Sequence, residues 1–229
     1  MYKSDKNVRP TRFNNGVRVK HKNLIELNNP LVKHYLTIIR DKRTTYHDFR
    51  DCVDKLSLIL AYEASYELSF LKKNIQTPLA PFSGSEIKGE IVLVPVLRAG
   101  LGLMSGFLQL FPKAKVGHIG VYRNEETLQP VRYYFKFPRL HSRKNCMVYI
   151  LDPMLATGGS ILYSVNELHK HKISKIVVIS IVSAPEGVKK VLSLYKDVKI
   201  YTCSVDSKLN SKGYIVPGLG DAGDRMFGT

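Results

Sequence analysis

Residues 91–96, Ile91-Val92-Leu93-Val94-Pro95-Val96, contain nothing polar to turn toward water, which is the pattern of a strand buried on both faces. Apolar, β-rich runs of similar length recur at 116–121, 146–151, 175–182 and 198–204. Between them lie stretches of helical character: an apolar one through Phe111, one near 160–170 and one at 185–195. Strands of this kind alternating with helices leave few architectures. They predict a mainly parallel sheet with helices on both faces, and ligands of such sheets bind beyond the carboxyl ends of the strands.

The segments around this alternation are of other types. Asn29-Pro30 followed by Leu31, Val32, Tyr35, Leu36 and Ile39 reads as a capped helix with Pro30 at its first position. Thr45 and Asp48 resemble a capping box opening a longer helix whose apolar face carries Phe49, Val53, Leu56, Leu60 and Ala64. Residues 77–88, with Pro78, Pro81 and Gly84, read as a loop. Residues 122–145 break the alternation and hold Arg123, Glu125, Glu126, Arg132, Tyr133, Tyr134 and Phe135. This is expected to be a projecting hairpin or flexible arm able to close over a ligand.

At 229 residues the chain suits one α/β domain, taken as 23–229, preceded by a basic arm over 1–22. That arm carries Lys3, Lys6, Arg9, Arg12, Arg18, Lys20 and Lys22 against Asp5 alone, and reads as mobile. No apolar run reaches the roughly 20 residues of a membrane span, and no secretory core opens the chain, so a cytosolic protein is expected. Cys52, Cys146 and Cys203 are far apart and form no CxxC pair, so buried thiols are expected rather than disulfides or a zinc site. The net charge of +16 calls for a polyanionic partner. Nucleic acid and a small substrate bearing several phosphates both qualify.

Asp152-Pro153-Met154-Leu155-Ala156-Thr157-Gly158-Gly159-Ser160 follows the apolar run at 146–151 and leads into a helical pattern. Glycines let backbone approach a phosphate closely, and the N–H groups of the turn and of the first helical turn converge on it. Asp152 would repel phosphate, so its natural partners are sugar hydroxyls or a cation. A phosphorylated sugar satisfies both halves. The turn lacks the Lys of a Walker A loop and the GxGxxG of a dinucleotide site. Gly218-Leu219-Gly220-Asp221-Ala222-Gly223 does match GxGxxG, but only six residues follow it, too few for a βαβ unit. Gly100-Leu101-Gly102 lacks a third glycine and reads as a tight helix start.

The 152–160 turn resembles the phosphoribosyl-diphosphate (PRPP) loop of the type I phosphoribosyltransferases. Four motifs in order, residues 95–100, 122–126, 152–160 and 213–224, are similar to those of the uracil phosphoribosyltransferase branch, over roughly residues 27–229. Pro153 stands where the wider superfamily has a second acid, which leaves Asp152 alone in the loop. The resemblance implies an α/β type I phosphoribosyltransferase fold with a mainly parallel sheet, a projecting β-arm and a C-terminal hood. It implies salvage of uracil to UMP, with PRPP as donor and Mg²⁺ as cofactor. It places the PRPP 5-phosphate on Ala156 to Ser160, within a binding run that also takes in Pro153, Met154 and Leu155. It gives ribose hydroxyls to Asp152, the diphosphate with Mg²⁺ to Arg98 and Arg123, and uracil to backbone at Ile215, Gly220, Asp221 and Ala222. Asp221 also lies near the diphosphate. Asp152, Arg98, Arg123 and Asp221 are the implied catalytic set, no protein metal ligands are implied beyond substrate-held Mg²⁺, and a homodimer or higher homo-oligomer is expected. Activation by GTP is left open.

Two other readings stay open: a regulatory RNA-binding protein on the same scaffold, motivated by charge and arm, and transfer to a different base. For Arg98 and Arg123 a structural ion pair is the plainer alternative. His169 and His171 are expected on different faces of a helix end, which argues against a metal pair, and no role falls to His21, His34, His47, His118 or His141.

Overall fold

A computed structural model describes residues 21–122 and 131–229, with the backbone alone of Arg123 and Pro130. Residues 1–20 and 124–129, hence nearly all of the expected basic arm and the tip of the projecting one, lie outside the described residues. In chain order the elements are β1 (Leu24–Glu26), α1 (Pro30–Arg40), α2 (Tyr46–Ala64), β2 (Phe70–Gln76), β3 (Pro81–Ile87), β4 (Glu90–Leu97), α3 (Met104–Leu110), β5 (Lys115–Val116), β6 (His118–Arg123), β7 (Pro130–Lys136), β8 (Cys146–Leu151), β9 (Met154–Leu155), α4 (Gly159–Lys170), β10 (Lys175–Ser183), α5 (Pro185–Leu194), β11 (Lys199–Val205), β12 (Lys208–Leu209), β13 (Ile215–Val216) and α6 (Ala222–Phe227).

The apolar runs become one nine-stranded sheet in the order β1-β11-β10-β8-β4-β6-β7, with β5 beside β4 and β9 beside β10. Every pairing is parallel except β6 with β7. The continuous apolar pattern of β4 has its expected cause. Ile91 and Leu93 join a core with α1, α2, α3 and α6, while Val92, Val94 and Val96 join a second core with α4 and α5. Each side chain so buried contributes about 1.5–3 kcal/mol, and a polar residue on either face would leave a group without water. Tyr149 satisfies that condition at the centre of the first core: its ring stacks on Phe111, its hydroxyl donates to the Ala64 carbonyl at 3.1 Å, and it is fully buried.

Local signals were well placed. Asn29 caps α1 by accepting from the Leu31 N–H at 2.8 Å. Thr45 caps α2 by accepting from the Asp48 N–H at 3.1 Å, and its hydroxyl donates to the Asp48 carboxylate at 3.0 Å. The expected apolar face of α2 is buried throughout, and all three cysteines are free and buried. Ala99–Leu103 is the tight helical start expected at the Gly100-Leu101-Gly102 segment, here a 3-10 turn.

One expectation is corrected. Residues 77–88 are no simple loop: most of them form β3, paired antiparallel to β2 from Phe70↔Ile87 to Gln76↔Pro81 as a separate two-stranded sheet. Apart from Gly84, every residue of both strands is exposed. Pro81 and Gly84 mark a break in a buried strand, but an exposed edge tolerates both, Pro81 as the first residue of its strand. β1 and α6 were not anticipated either, each being too short to show a period.

The projecting arm takes the form of the β6–β7 hairpin, with a register shift at Gly120/Val121. The hood is the segment from β12 to α6, and two arginines pin it from behind. Arg40 on α1 makes a forked pair with the buried Asp206, at 2.7 and 2.6 Å, and donates to the Gly218 carbonyl at 2.7 Å. Arg225 donates to the carbonyls of Ile39, Leu219 and Asp41, with its guanidinium over the Phe49 ring.

Candidate active site

The carboxyl ends of β4, β6 and β8, the turn into α4 and the hood border a cleft of about 450 Å³. Of the expected residues, Arg98, Asp152, Met154, Leu155, Ala156, Thr157, Gly158, Gly159, Ser160, Ile215, Gly220, Asp221 and Ala222 line it. Segments up to 124 residues apart in sequence therefore meet, because parallel strands deliver their carboxyl ends to one edge. Two expected residues stand apart. Pro153 does not line the cleft; its carbonyl accepts from the N–H groups of Ile181 and Val182, both at 3.0 Å, so it joins the sheet to the loop. Arg123 ends β6 at the register partner of Pro130, and its side chain lies outside the described residues.

The loop is shaped for an anion. Gly158 takes the left-handed conformation (φ +80°) that costs glycine little and reverses the chain into α4. It caps α4 with no side chain, and no acid occupies the first turn, so the positive helix end faces the cleft uncompensated. The loop sits this close to α5 only because Gly187 has no side chain: a Cβ there would lie 2.2 Å from the Ala156 carbonyl oxygen. Gly187 was not legible as a site residue, since nothing local marks a glycine that matters for another segment.

Asp152 sits where β8 ends. Its N–H donates to the Ile179 carbonyl at 3.0 Å, its carbonyl accepts from the Ser180 hydroxyl at 2.7 Å, and its carboxylate is left toward the cleft. Burial pushes the carboxyl up to about 7, against a weaker downward pull from the Met154 N–H at 3.3 Å. Such a group is poised to gain a proton when the cleft is empty and to lose it when hydroxyls or a cation arrive.

Arg98 follows a cis Leu97–Arg98 peptide and pairs with Asp224 at 3.0 Å, so the plainer alternative of an ion pair is present. Both partners are half-exposed, and a single contact leaves the other guanidinium donors without a protein partner among the described residues. Asp221 caps α6 by accepting from the Asp224 N–H at 3.0 Å. A Cβ at Gly223 would lie 3.2 Å from Asp221 Oδ1 and 4.0 Å from Arg98 Nη2, so the two charged groups border one space.

The cleft also takes in Tyr122, Tyr133 and Tyr214. Tyr122 and Tyr214 lie within the motifs at 122–126 and 213–224. Tyr133 enters only because β7 folds back on β6, bringing its ring within 6.3 Å of that of Tyr122. The histidine expectation holds: His169 packs edge-on against Tyr195 while His171 stacks on Phe135 and Phe137. Among the described residues no group of three or more His, Cys, Asp or Glu is placed to hold a metal, and no helix is long and apolar enough to cross a membrane.

Comparison with known proteins bears on this cleft. Residues 26–229 match the family model described as Uracil phosphoribosyltransferase. The chain is 48% identical over 204 residues to the uracil phosphoribosyltransferase of Levilactobacillus brevis, covering 89% of this chain and 97% of that protein. It is 47% identical over 204 residues to that of Streptococcus salivarius, with the same coverage. Among solved structures it is similar to the AQ2163 protein from Aquifex aeolicus, 41% identical, with a TM-score of 0.84 and coverage of 89% of this chain and 97% of that one.

Proposed function

Because the chain belongs to the uracil phosphoribosyltransferase family, we propose that this cleft is where it moves the 5-phosphoribosyl group from PRPP to N1 of uracil. That reaction yields UMP and diphosphate, a step of pyrimidine salvage, on the α/β fold of the type I phosphoribosyltransferases. The observation that carries the site reading is one cleft bordered by an uncapped helix start, an inward carboxylate and a glycine-rich backbone segment.

The 5-phosphate sits on the N–H groups and hydroxyls of Ala156 to Ser160, and Asp152 accepts from the ribose hydroxyls. Arg98 and Arg123 hold the diphosphate, their forked donors matching phosphate oxygens. Arg98 exchanges its contact with Asp224 for the donor. A Mg²⁺ ion suits this donor set. Asp152 and Asp221 are the carboxylates lining the cleft, and Asp221, beside Arg98, would hold the ion together with the diphosphate of the substrate. When bound, the ion neutralises charge on the leaving diphosphate. The β6–β7 arm closes over the donor and keeps water from consuming it.

Uracil is read by backbone at Ile215 and Gly220 to Ala222. Arg40 and Arg225 hold the carbonyls of Gly218 and Leu219 from behind, so the next residues present a fixed edge. A fixed C=O and N–H pair accepts the N3–H and carbonyl of uracil but leaves two groups unpaired against cytosine. The catalytic unit is 23–229, with 1–22 an appended arm in a cytosolic protein. The exposed β2–β3 hairpin favours a homodimer: two strands alone are marginal in water, yet this pair exposes Phe70, Leu71, Ile75 and Phe82. Incubating the protein with Mg²⁺, PRPP and each nucleobase tests the reading. UMP from uracil and no product from hypoxanthine, orotate or cytosine is expected, and the reverse would sink it.

A further inference from the structure

The fold separates the two explanations of the +16 charge, because the cleft lies at one edge of the parallel sheet and an accumulation of cations lies at the other. The amino ends of β1, β11, β10, β8 and β4 are neighbours in that order. Lys22 precedes β1, Lys196 precedes β11, Lys172 and Lys175 lead into β10, and Arg143 and Lys144 precede β8. Lys88 comes two residues before β4. All are exposed, and none lies within 4.0 Å of a carboxylate among the described residues.

The segments that carry these cations touch one another. Asn23 Nδ2 donates to the Lys196 carbonyl at 2.7 Å, joining the first two strand starts. The Glu90 N–H donates to the Asn145 carbonyl at 3.0 Å, joining the last two. Between them the register sets Lys175 beside Met147. Five neighbouring strand starts at about 4.8 Å spacing make a ridge roughly 19 Å long. The acids there are few: Glu90 is taken by Lys115 and His141, Glu67 by Lys199, and Asp197 faces His169. At the opposite edge Asp152, Asp206, Asp221 and Asp224 offset the cations, so the phosphates of the substrate do not account for the ridge.

We propose that this amino-edge ridge is a docking surface for single-stranded RNA, held through its phosphates. The row of like charges fits a polyanion rather than a point anion, since successive phosphates of one strand laid along it each meet a cation and release counterions. Exposed large apolar side chains border the ridge beside Lys88, at Ile87 and Phe70, and beside Lys196, at Leu194, but none falls among Arg143, Lys144, Lys172 and Lys175 at its centre, which favours backbone recognition there over base stacking or membrane insertion.

The test uses the full-length protein, a fluorescein-labelled mixed-sequence 20-nucleotide RNA and polarisation measurements from 50 to 200 mM salt. Binding is expected to weaken with a log–log slope of about −3 to −4, from four to six contacts at about 0.7 each. Lys144→Glu/Lys172→Glu/Lys175→Glu should lose at least tenfold in affinity and about 2 in slope while UMP formation is unchanged. A triple Gln version serves if the Glu variant fails to fold, with the same expectation. Salt-independent binding, no RNA binding, variants that bind like the parent, complete loss on deleting residues 1–20 alone, or preference for phosphatidylserine vesicles over RNA would each overturn the proposal.

Discussion

Replacing Asp152 by Asn should stabilise the ligand-free protein while destroying its activity. A carboxyl whose folded pKa lies above its unfolded value costs nothing below the unfolded value, costs more as pH rises through the window, and reaches its full cost above the folded value. For Asp152 that window runs from 3.8 to about 7, with burial as the cause. At 1.36 kcal/mol per tenfold change in proton affinity the displacement amounts to about 4 kcal/mol as an upper bound. An effective interior dielectric near 20, rather than that of a dry core, brings a working figure to about 2 kcal/mol. The amide oxygen of Asn keeps the Met154 N–H bond and carries no charge to bury. A chain of this size gains roughly 2–4 °C per kcal/mol, so the variant should melt about 4–8 °C higher at pH 8.5. Near pH 3.8 the difference should vanish. Turnover at pH 8 should fall by at least a hundredfold, since the ribose hydroxyls lose a charged acceptor. Differential scanning fluorimetry across pH, paired with a UMP assay, reads both effects. No stabilisation at pH 8.5, an equal gain at pH 4, or near-normal turnover would refute the reasoning.

Other substitutions separate positioning from chemistry. Gly187→Ala drives a Cβ against the Ala156 carbonyl oxygen, so it should cost about 1–3 kcal/mol and raise KM for PRPP more than KM for uracil; steady-state kinetics with both substrates varied would check this. Arg98→Ala should leave the melting temperature within about 4 °C, because an exposed pair with Asp224 contributes under about 1 kcal/mol, and should raise KM for PRPP at least tenfold. A purely structural Arg98 would give the opposite pattern. Arg40→Ala leaves Asp206 charged and nearly inaccessible, which should cost about 3–5 kcal/mol in thermal or urea unfolding and weaken uracil binding as the hood loses its anchor.

The sheet and its two helical layers were legible because a strand buried on both faces has no room for polar residues, and β4, β8 and β10 obey that rule almost residue by residue. β2 and β3 were not, since nothing among the described residues covers them and Phe70, Lys72 and Asn74 share one side of an exposed strand. The donor loop could be read from the glycines and Asp152 alone as a phosphate and sugar site; the base site could be read only through resemblance, because backbone recognition leaves no side-chain signature at Gly220 or Ala222. Contacts made through space stayed hidden. Nothing near Arg98 in sequence announces Asp224, and nothing near Ala156 announces Gly187.

The most direct measurement is a crystal structure of the protein with UMP. The phosphate is expected within hydrogen-bond reach of the N–H groups at Thr157 to Ser160, the ribose hydroxyls at Asp152, and the uracil edge against backbone at Ile215 and Gly220 to Ala222. A phosphate bound elsewhere, or a base held away from the hood, would contradict the assignment of donor to loop and acceptor to tail.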